Sequence, residues 1–376
     1  MTPASVPPAN WSGVRRQVRS CAFGLAMLAG AIGRSQAAGP AQAGAPVAVV
    51  LDGPTIVKRL QDSARLRNYS GTFVVSASGS MSSARIVHAT DGNNQVERVE
   101  SLDGQMRRVF RYNDAIHILW PASRSASIEP GGNVRGFPSA LNSDTAAALD
   151  MYEVQPGSDD RIAGHDAQTV TLRPRDNARF MQRWWLERGS GLLLRADVVN
   201  DKGEVLESAA FSELQLGGRI QPQTLVNEMK RLDGYRVSRN RIVSTELERE
   251  GWTLKAAVPG FRAVQCVLRQ SADAGPLRAA PPTTASASAP ASAPHSTVDA
   301  GPPVSMLQAI YSDGLTHVSI FIEPFRLGVH VPEPVVAMGA THALARRNGD
   351  WWITVVGDVP PTTLRQFAQA MERRKP

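Results

Sequence analysis

Thiols are nearly missing from this chain: among 376 residues only Cys21 and Cys266 occur, too few for a disulfide framework or a thiolate metal centre. Aromatic residues make up 6%, and charge is close to balanced, with 41 basic against 34 acidic side chains. Arg15, Arg16, Arg19 and Arg34 fall within residues 1–37, which hold no acid, so loss of that segment would leave 37 against 34, a net +3. That excess is too thin for the basic face nucleic acid requires, and nucleic acid is excluded as a partner. It suits an acidic partner or an anionic headgroup. Beyond the first 37 residues no stretch offers about 20 continuous apolar residues, so the protein is expected to be peripheral to a membrane and not to span it.

Local catalytic signatures are missing too. No GxGxxG, phosphate loop, HExxH or GxSxG occurs, and the seven histidines, at 88, 117, 165, 295, 317, 330 and 342, lack close metal-ligand spacing. No catalytic residue, metal or cofactor is therefore predicted. A Ser70–His88–Asp91 triad needs a geometry that spacing does not supply. The plainer reading of His88, closing "RIVHA", and of His165, closing "RIAGH", is a satisfied group at a strand end or turn. Cys266 in "AVQCVL" reads as a buried thiol.

What is present begins with a basic stretch, an apolar run "CAFGLAMLAGAIG" and the small residues of "RSQAAG". This progression predicts a signal peptide over 1–37, cleaved before Ala38, and export to the periplasm. No cysteine follows the apolar run closely enough for lipoprotein processing. Next, Asp52 and Pro54 can start a helix whose stripe is Ile56, Val57, Leu60 and Ala64. The period then falls to two. Strands are predicted at 69–78, 83–90, 95–102, 106–112 and 115–120, and again at 168–174, 181–188, 191–199 and 205–214, separated by turns such as "TDGNN", "LDGQ" and "NDKG". Such spacing favours a large curved antiparallel sheet over βαβ units. Residues 121–150, rich in Pro, Ser, Gly and Ala, read as a long loop with a short helix near Asp144–Asp150 as the alternative.

Alternation sets Phe73 and Val75 on one face of their strand and Phe110 on a face of another, while Trp184 and Leu193 add apolar mass to the later strands. These five are the candidate lining of a hydrophobic ligand site, with an ordinary core as the rival reading. Arg85, Arg98, Arg107 and Arg111 run beside Glu97 and Glu100, a pattern that cross-strand ion pairs or a headgroup contact would both explain.

The first domain is predicted over 54–228 and a second, smaller α+β domain over 245–371, with "KRLDGYRVSRNRI" as a polar connection. A Pro/Ala/Ser/Thr tract at 273–303 reads as an insertion within the second domain, because the roughly 30 residues before it are too few for a core. Strand-like "HVSIFIEP", "THALARR" and "WWITVVGDVP" follow, then a terminal helix capped by Thr362 or Thr363 with Leu364, Phe367, Ala368 and Met371 as its stripe.

The ordered segments "NYSGTFVV", "RIVH", "ERVESLDG", "RIAGH", "LRPRDNARF", "GLLLRADVVNDKG", "PGF", "YSDGLTHVSIFIEP" and "VVGDVP" together resemble the MucB/RseB family of periplasmic regulators of envelope-stress anti-sigma factors. Arg108 in "QMRRVFR" departs from that pattern, which would have glutamate there, and the 273–303 insertion is a second departure. The resemblance implies an α+β protein whose first domain is a curved antiparallel half-barrel like that of lipoprotein carriers. It further implies a non-enzymatic regulator whose second domain binds the periplasmic segment of a single-pass anti-sigma factor, through Tyr311, Phe321 and Phe325, and protects it from regulated proteolysis. A lipid or lipopolysaccharide ligand in the first domain would release that partner, with self-association left open. The alternatives are a periplasmic lipid or lipoprotein carrier, which explains the second domain poorly, and a periplasmic hydrolase.

Overall fold

Asp52 opens the first element as its chemistry dictates: its Oδ1 accepts the Thr55 amide at 3.0 Å, and Pro54 needs no amide partner in the first turn. The helix that follows, α1 (Gly53–Leu66), buries Ile56, Val57, Leu60 and Ala64 along one stripe. The computed structural model describes residues 52–91, 94–113, 115–130, 136–138, 149–239, 241–270, 305–330 and 335–374. The expected signal peptide, residues 144–148 of the alternative short helix, and the 273–303 tract lie outside the described residues.

Among the described residues, eleven strands of the first sheet follow α1: β1 (Tyr69–Ala77), β2 (Ser80–Thr90), β3 (Gln95–Ser101), β4 (Arg108–Tyr112), β5 (Ala115–Trp120), β6 (Ser125–Pro130), β7 (Tyr152–Ile162), β8 (His165–Pro174), β9 (Met181–Glu187), β10 (Leu193–Val199) and β11 (Val205–Leu216). After α2 (Pro222–Lys230) the chain adds β12 (Arg236–Arg239). The order is β12-β6-β5-β4-β3-β2-β1-β11-β10-β9-β8-β7, antiparallel except where β12 joins β6. One contact records the curvature. His165 Nε2 lies 3.0 Å from the Leu214 carbonyl, although β8 and β11 stand three ladder steps apart, roughly 14 Å in a flat sheet. The sheet therefore curls into the expected half-barrel.

Residues 121–162 differ from the sequence reading. The supposed loop contains β6 at one end, and β7 starts at Tyr152, after a 3-10 turn at Leu149–Met151. Among the described residues β7 is an edge strand paired with β8 alone, which makes its Pro156, bulge and exposed Asp159–Asp160 tolerable.

The second sheet has the order β13-β15-β16-β17-β20-β19-β18, from β13 (Arg241–Ser244), β15 (Arg262–Gln270), β16 (Ser305–Ser312), β17 (His317–Pro324), β18 (Val336–Met338), β19 (Thr341–Asn348) and β20 (Trp351–Gly357). A small ribbon pairs β14 (Trp252–Leu254) with β21 (Met371–Arg373). The stretch read as a polar connection contributes strand to both sheets: β12 (Arg236–Arg239) borders the first, and β13, which begins at Arg241, borders the second. Near this crossing Arg269 on β15 pairs with Glu129 on β6 at 3.4 Å.

The last helix, α3 (Pro361–Ala370), lays Leu364, Phe367 and Ala368 against Tyr311, Ile320 and Val355. Its start corrects the predicted cap. Pro360 occupies the N-cap without a side-chain bond, and the Thr363 hydroxyl instead donates to the Ala178 carbonyl at 3.0 Å. Met371 is buried as expected but belongs to β21, one residue past the helix.

Candidate functional site

Two apolar interiors line the first sheet, one on each face. Strand register separates them: Phe73 faces Ala84 and Val75 faces Ser82 across β1 and β2, whereas Phe110 sits opposite Arg98 on the alternate residues of β3 and β4. α1 covers the first face, where Ile56 and Leu60 pack with Phe73, Val75, Trp184 and Leu193. α2 covers the second, packing Leu225, Val226 and Met229 on Phe110. Of the five residues expected to line a ligand site, four thus share one interior and Phe110 lies in the other. Phe73 and Phe211 also meet Phe137, at 5.4 Å and 5.1 Å from its ring centre respectively for Phe73 and Phe211. Trp184 and Trp185 face opposite ways, as strand alternation requires; Trp185 lies under the Arg195 guanidinium at 4.4 Å and donates Nε1 to Asp160 at 2.8 Å.

The open end of the α1-side interior is closed by turns of the second domain. Leu315, in the β16–β17 turn, packs against the first core, and Ala178, in the β8–β9 loop, packs in return against the second. Between them lies a buried polar knot. Arg179 Nε donates to Asp313 Oδ2 at 2.5 Å, Nη2 donates to the Pro259 carbonyl at 2.5 Å, Nη1 bonds Asp176, and the guanidinium stacks 4.6 Å over Phe261. Tyr152 completes the knot by donating its hydroxyl to Asp313 Oδ2 at 3.2 Å. Burial, then the Asp313 charge, raises the Tyr152 hydroxyl well above its ordinary pKa, so it stays a donor. Gly260 makes the approach feasible: its φ is +79°, and a Cβ there would lie 2.4 Å from Arg179 Nη2.

A second closure lies at the β18–β19 turn. The Gly339 amide donates to Ser78 Oγ at 2.7 Å, in the β1–β2 turn, and a Gly339 Cβ would fall 2.8 Å from Ala77 Cβ. Glu207 sits beside it, its carboxyl pushed up to about 8 by burial and by the Asp358 charge. Phe180 and His342 add a ring contact at 5.8 Å. The junction thus forms a plug of two turns and a salt-bridged knot over this end of the α1-side interior.

The residues expected to meet a partner are dispersed. Tyr311 is buried under α3, 5.4 Å from the Phe367 ring centre. Phe321 is buried on the opposite face of the second sheet, with Met306 and Val356. Phe325 is half-buried beneath Arg347, 4.0 Å from its ring centre, and precedes a turn on which Leu327 is 91% exposed. A cleft of ≈ 450 Å³ also opens in this domain, with Trp252, Trp351 and Ile322 in its lining and Arg326 and Arg373 among its polar groups.

The remaining sequence candidates are structural in this conformation. Ser70 faces away from His88, since Tyr69 is the cross-strand partner of His88, which removes the imagined triad. His88 stacks on Tyr69 at 4.8 Å, with Nδ1 2.8 Å from the Arg67 carbonyl. Arg111 pairs with Glu97 at 3.4 Å, Arg108 with Glu100 at 3.4 Å, and Arg98 with Glu228 at 2.6 Å, so cross-strand and helix partners account for much of the basic run. Cys266 is half-buried, and burial pushes its thiol up to about 11. Among the described residues no group of three His, Cys, Asp or Glu side chains could hold a metal, and no helix is long and apolar enough to cross a membrane.

Two family models match in tandem: the MucB/RseB N-terminal domain over residues 52–229 and the MucB/RseB C-terminal domain over 246–372. The chain is similar to the sigma factor AlgU regulatory protein MucB of Pseudomonas aeruginosa, 27% identical over 334 residues, spanning 86% of this chain and 92% of that protein. It is also similar to the sigma-E factor regulatory protein RseB of Haemophilus influenzae, 22% identical over 309 residues, spanning 82% and 87%. A crystal structure of MucB in complex with MucA(peri) shares the fold with a TM-score of 0.60 at 23% identity, covering 86% of this chain and all of that one.

Proposed function

The chain belongs to the MucB/RseB family, and from that premise we propose that it is a periplasmic regulator of an envelope-stress sigma factor, acting by binding the periplasmic segment of an anti-sigma factor. Its relatives are regulatory proteins by name, and the chemistry offered here is that of binding. The partner segment seats on the second domain, where the cleft beside Trp252 and Trp351 supplies an apolar wall and Arg326 and Arg373 supply charge. While seated it is held away from the protease that would cut it. An amphiphile entering between α1 and the sheet, against Phe73, Val75, Trp184 and Leu193, favours the conformation in which the second domain has withdrawn. The partner then leaves.

The observation that carries this reading is the packing of Leu315 and Gly339, both from the second domain, at the open end of the first interior. Occupancy of the interior and position of the second domain are thereby tied to one set of contacts, which is what linkage between two ligands requires. The test is to mix residues 38–376 with a periplasmic anti-sigma segment and follow cleavage of that segment by its site-specific protease. Protection at stoichiometric amounts, lost on adding a monomeric acyl amphiphile, is expected. Binding of amphiphile without any binding of the segment would instead favour the carrier reading.

A further inference from the structure

The plugging turn sets carboxylates from the two domains against each other. Glu207 stands on β11 at the end of the α1-side interior, flanked in register by Ala77 on β1 and Val198 on β10, neither of which brings a cation. The β18–β19 turn closes over it: a Cβ on Gly339 would lie 3.1 Å from Glu207 Oε2, and the Ala340 amide donates to the carboxylate. Asp358, between β20 and α3, bears electrostatically on Glu207 while its Oδ1 accepts the Thr341 hydroxyl at 2.5 Å. Among the described residues the other titratable group at this corner is His342, with Nδ1 3.0 Å from the Ala340 carbonyl. Burial lowers its pKa below the ordinary histidine value, with hydrogen bonds to Ala340 and Val359 and the Asp358 charge opposing, so it is neutral around pH 8, where the seated Glu207 titrates. Asp197 pairs with Arg195 and accepts the Ser208 hydroxyl, all on the alternate residues of β10 and β11, facing away.

We propose that Glu207 and Asp358 are a proton-operated clamp between the domains, holding the β18–β19 turn in the mouth of the first interior when Glu207 carries a proton and expelling it when Glu207 gains its charge beside Asp358. The proposal rests on the plugged-mouth reading of the junction and not on the identity of any partner. The direction follows from where Glu207 ionises. Seated, it does so at about 8; released into water, near its ordinary 4.5. A value raised in the seated state means that seating is strongest below the released value and weakens as pH rises toward the seated one. Opening releases one proton between those limits, so its equilibrium constant rises by up to about tenfold per pH unit and then levels off.

The test uses residues 38–376 without partner or lipid, in a Cys266→Ser background, with spin labels on cysteines replacing the exposed Met81 and Val336. Inter-label distances are measured from pH 5 to 9. The expected result is a longer-distance population that grows up to about pH 8 and then stays constant. Glu207→Gln should remain closed at every pH. Asp358→Asn relieves the repulsion, so its profile should level off at lower pH with a smaller open population. A wild-type distribution that does not change with pH, or the wild-type profile retained in Glu207→Gln, overturns the clamp. Should Glu207→Gln fail to fold, Asp358→Asn decides alone, an unshifted profile being the contrary result. Because no partner is in the sample, failure here leaves partner binding untouched, and absence of partner binding leaves the clamp untouched.

Discussion

Arg179 and Asp313 are 134 residues apart in sequence, yet their side chains meet at 2.5 Å with neither reaching solvent. Each belongs to a different domain. Removing one partner of a buried pair strands the other, which costs about 3–5 kcal/mol, whereas replacing both with apolar residues of similar volume is often close to neutral. Asp313→Ala is therefore expected to lower stability by about that amount, since Asp176 and the Pro259 carbonyl are all that remain for the guanidinium. Arg179→Met with Asp313→Leu removes the stranded charge and should recover part of the loss, the remainder persisting because the Tyr152 hydroxyl and the Leu315 and Thr316 amides still lose their acceptor. Urea unfolding of the two variants and the wild type measures both effects.

Gly260 permits that contact, and substituting it separates two physical effects. Gly260→Ala introduces backbone strain at φ +79° together with a clash against Arg179 and Met151. Gly104→Ala introduces strain at φ +64° with nothing within 4 Å. Strain alone is expected to cost about 1 kcal/mol. Gly260→Ala should exceed Gly104→Ala by at least another ~1 kcal/mol, because the clash falls on a buried, fully bonded arginine. Thermal unfolding of both variants gives the difference.

Much of the fold was legible because alternation and capping are local. Asp52, Pro54 and the Ile56–Leu60 stripe mark α1 without reference to anything distant, and β1 to β5 follow from period-two patterning with turn residues between them. β7 was not legible, since Pro156, Gly157 and Asp159–Asp160 read as turn chemistry and only an edge position tolerates them in a strand. Phe110 shows another limit: alternation places a residue on a face of its own strand, but which interior that face joins depends on where α1 and α2 pack. The junction was invisible for a related reason. Arg179, Phe261, Asp313 and Asp358 all lie in segments quoted for the family resemblance, but nothing in their spacing says that one buried contact surface collects them. Thr363 was read as a cap and serves as a tie to the Ala178 carbonyl. A hydroxyl near a helix start has both uses, and only the neighbouring domain decides.

Gln270 and Ser305 are ladder partners at the ends of β15 and β16, so the residues between them need only join two adjacent strand ends. Deleting 279–298 leaves 14 residues to make that connection, more than a hairpin requires. Loop-closure entropy varies slowly with length, so the deletion is expected to change stability by less than about 1 kcal/mol. Denaturant unfolding checks this. A loss of several kcal/mol would mean that the tract packs against the domain that carries it.

The proposed coupling between interior and partner would have a reciprocal signature. If an amphiphile binds the withdrawn conformation and the anti-sigma segment binds the plugged one, each must weaken the other by the same factor. A coupling of about 1–3 kcal/mol corresponds to roughly 5–150-fold in affinity. Asp313→Ala makes the prediction specific: loosening the junction should raise amphiphile affinity and lower segment affinity even when each is measured alone, because the plugged population is already smaller. Calorimetry of residues 38–376 with the segment, with a monomeric acyl amphiphile, and with each in the presence of the other measures both directions. Equal segment affinity with and without verified amphiphile occupancy would leave shielding intact but separate it from the first interior. The sensing of damage would then have to act on the second domain directly, through the cleft beside Trp252 and Trp351.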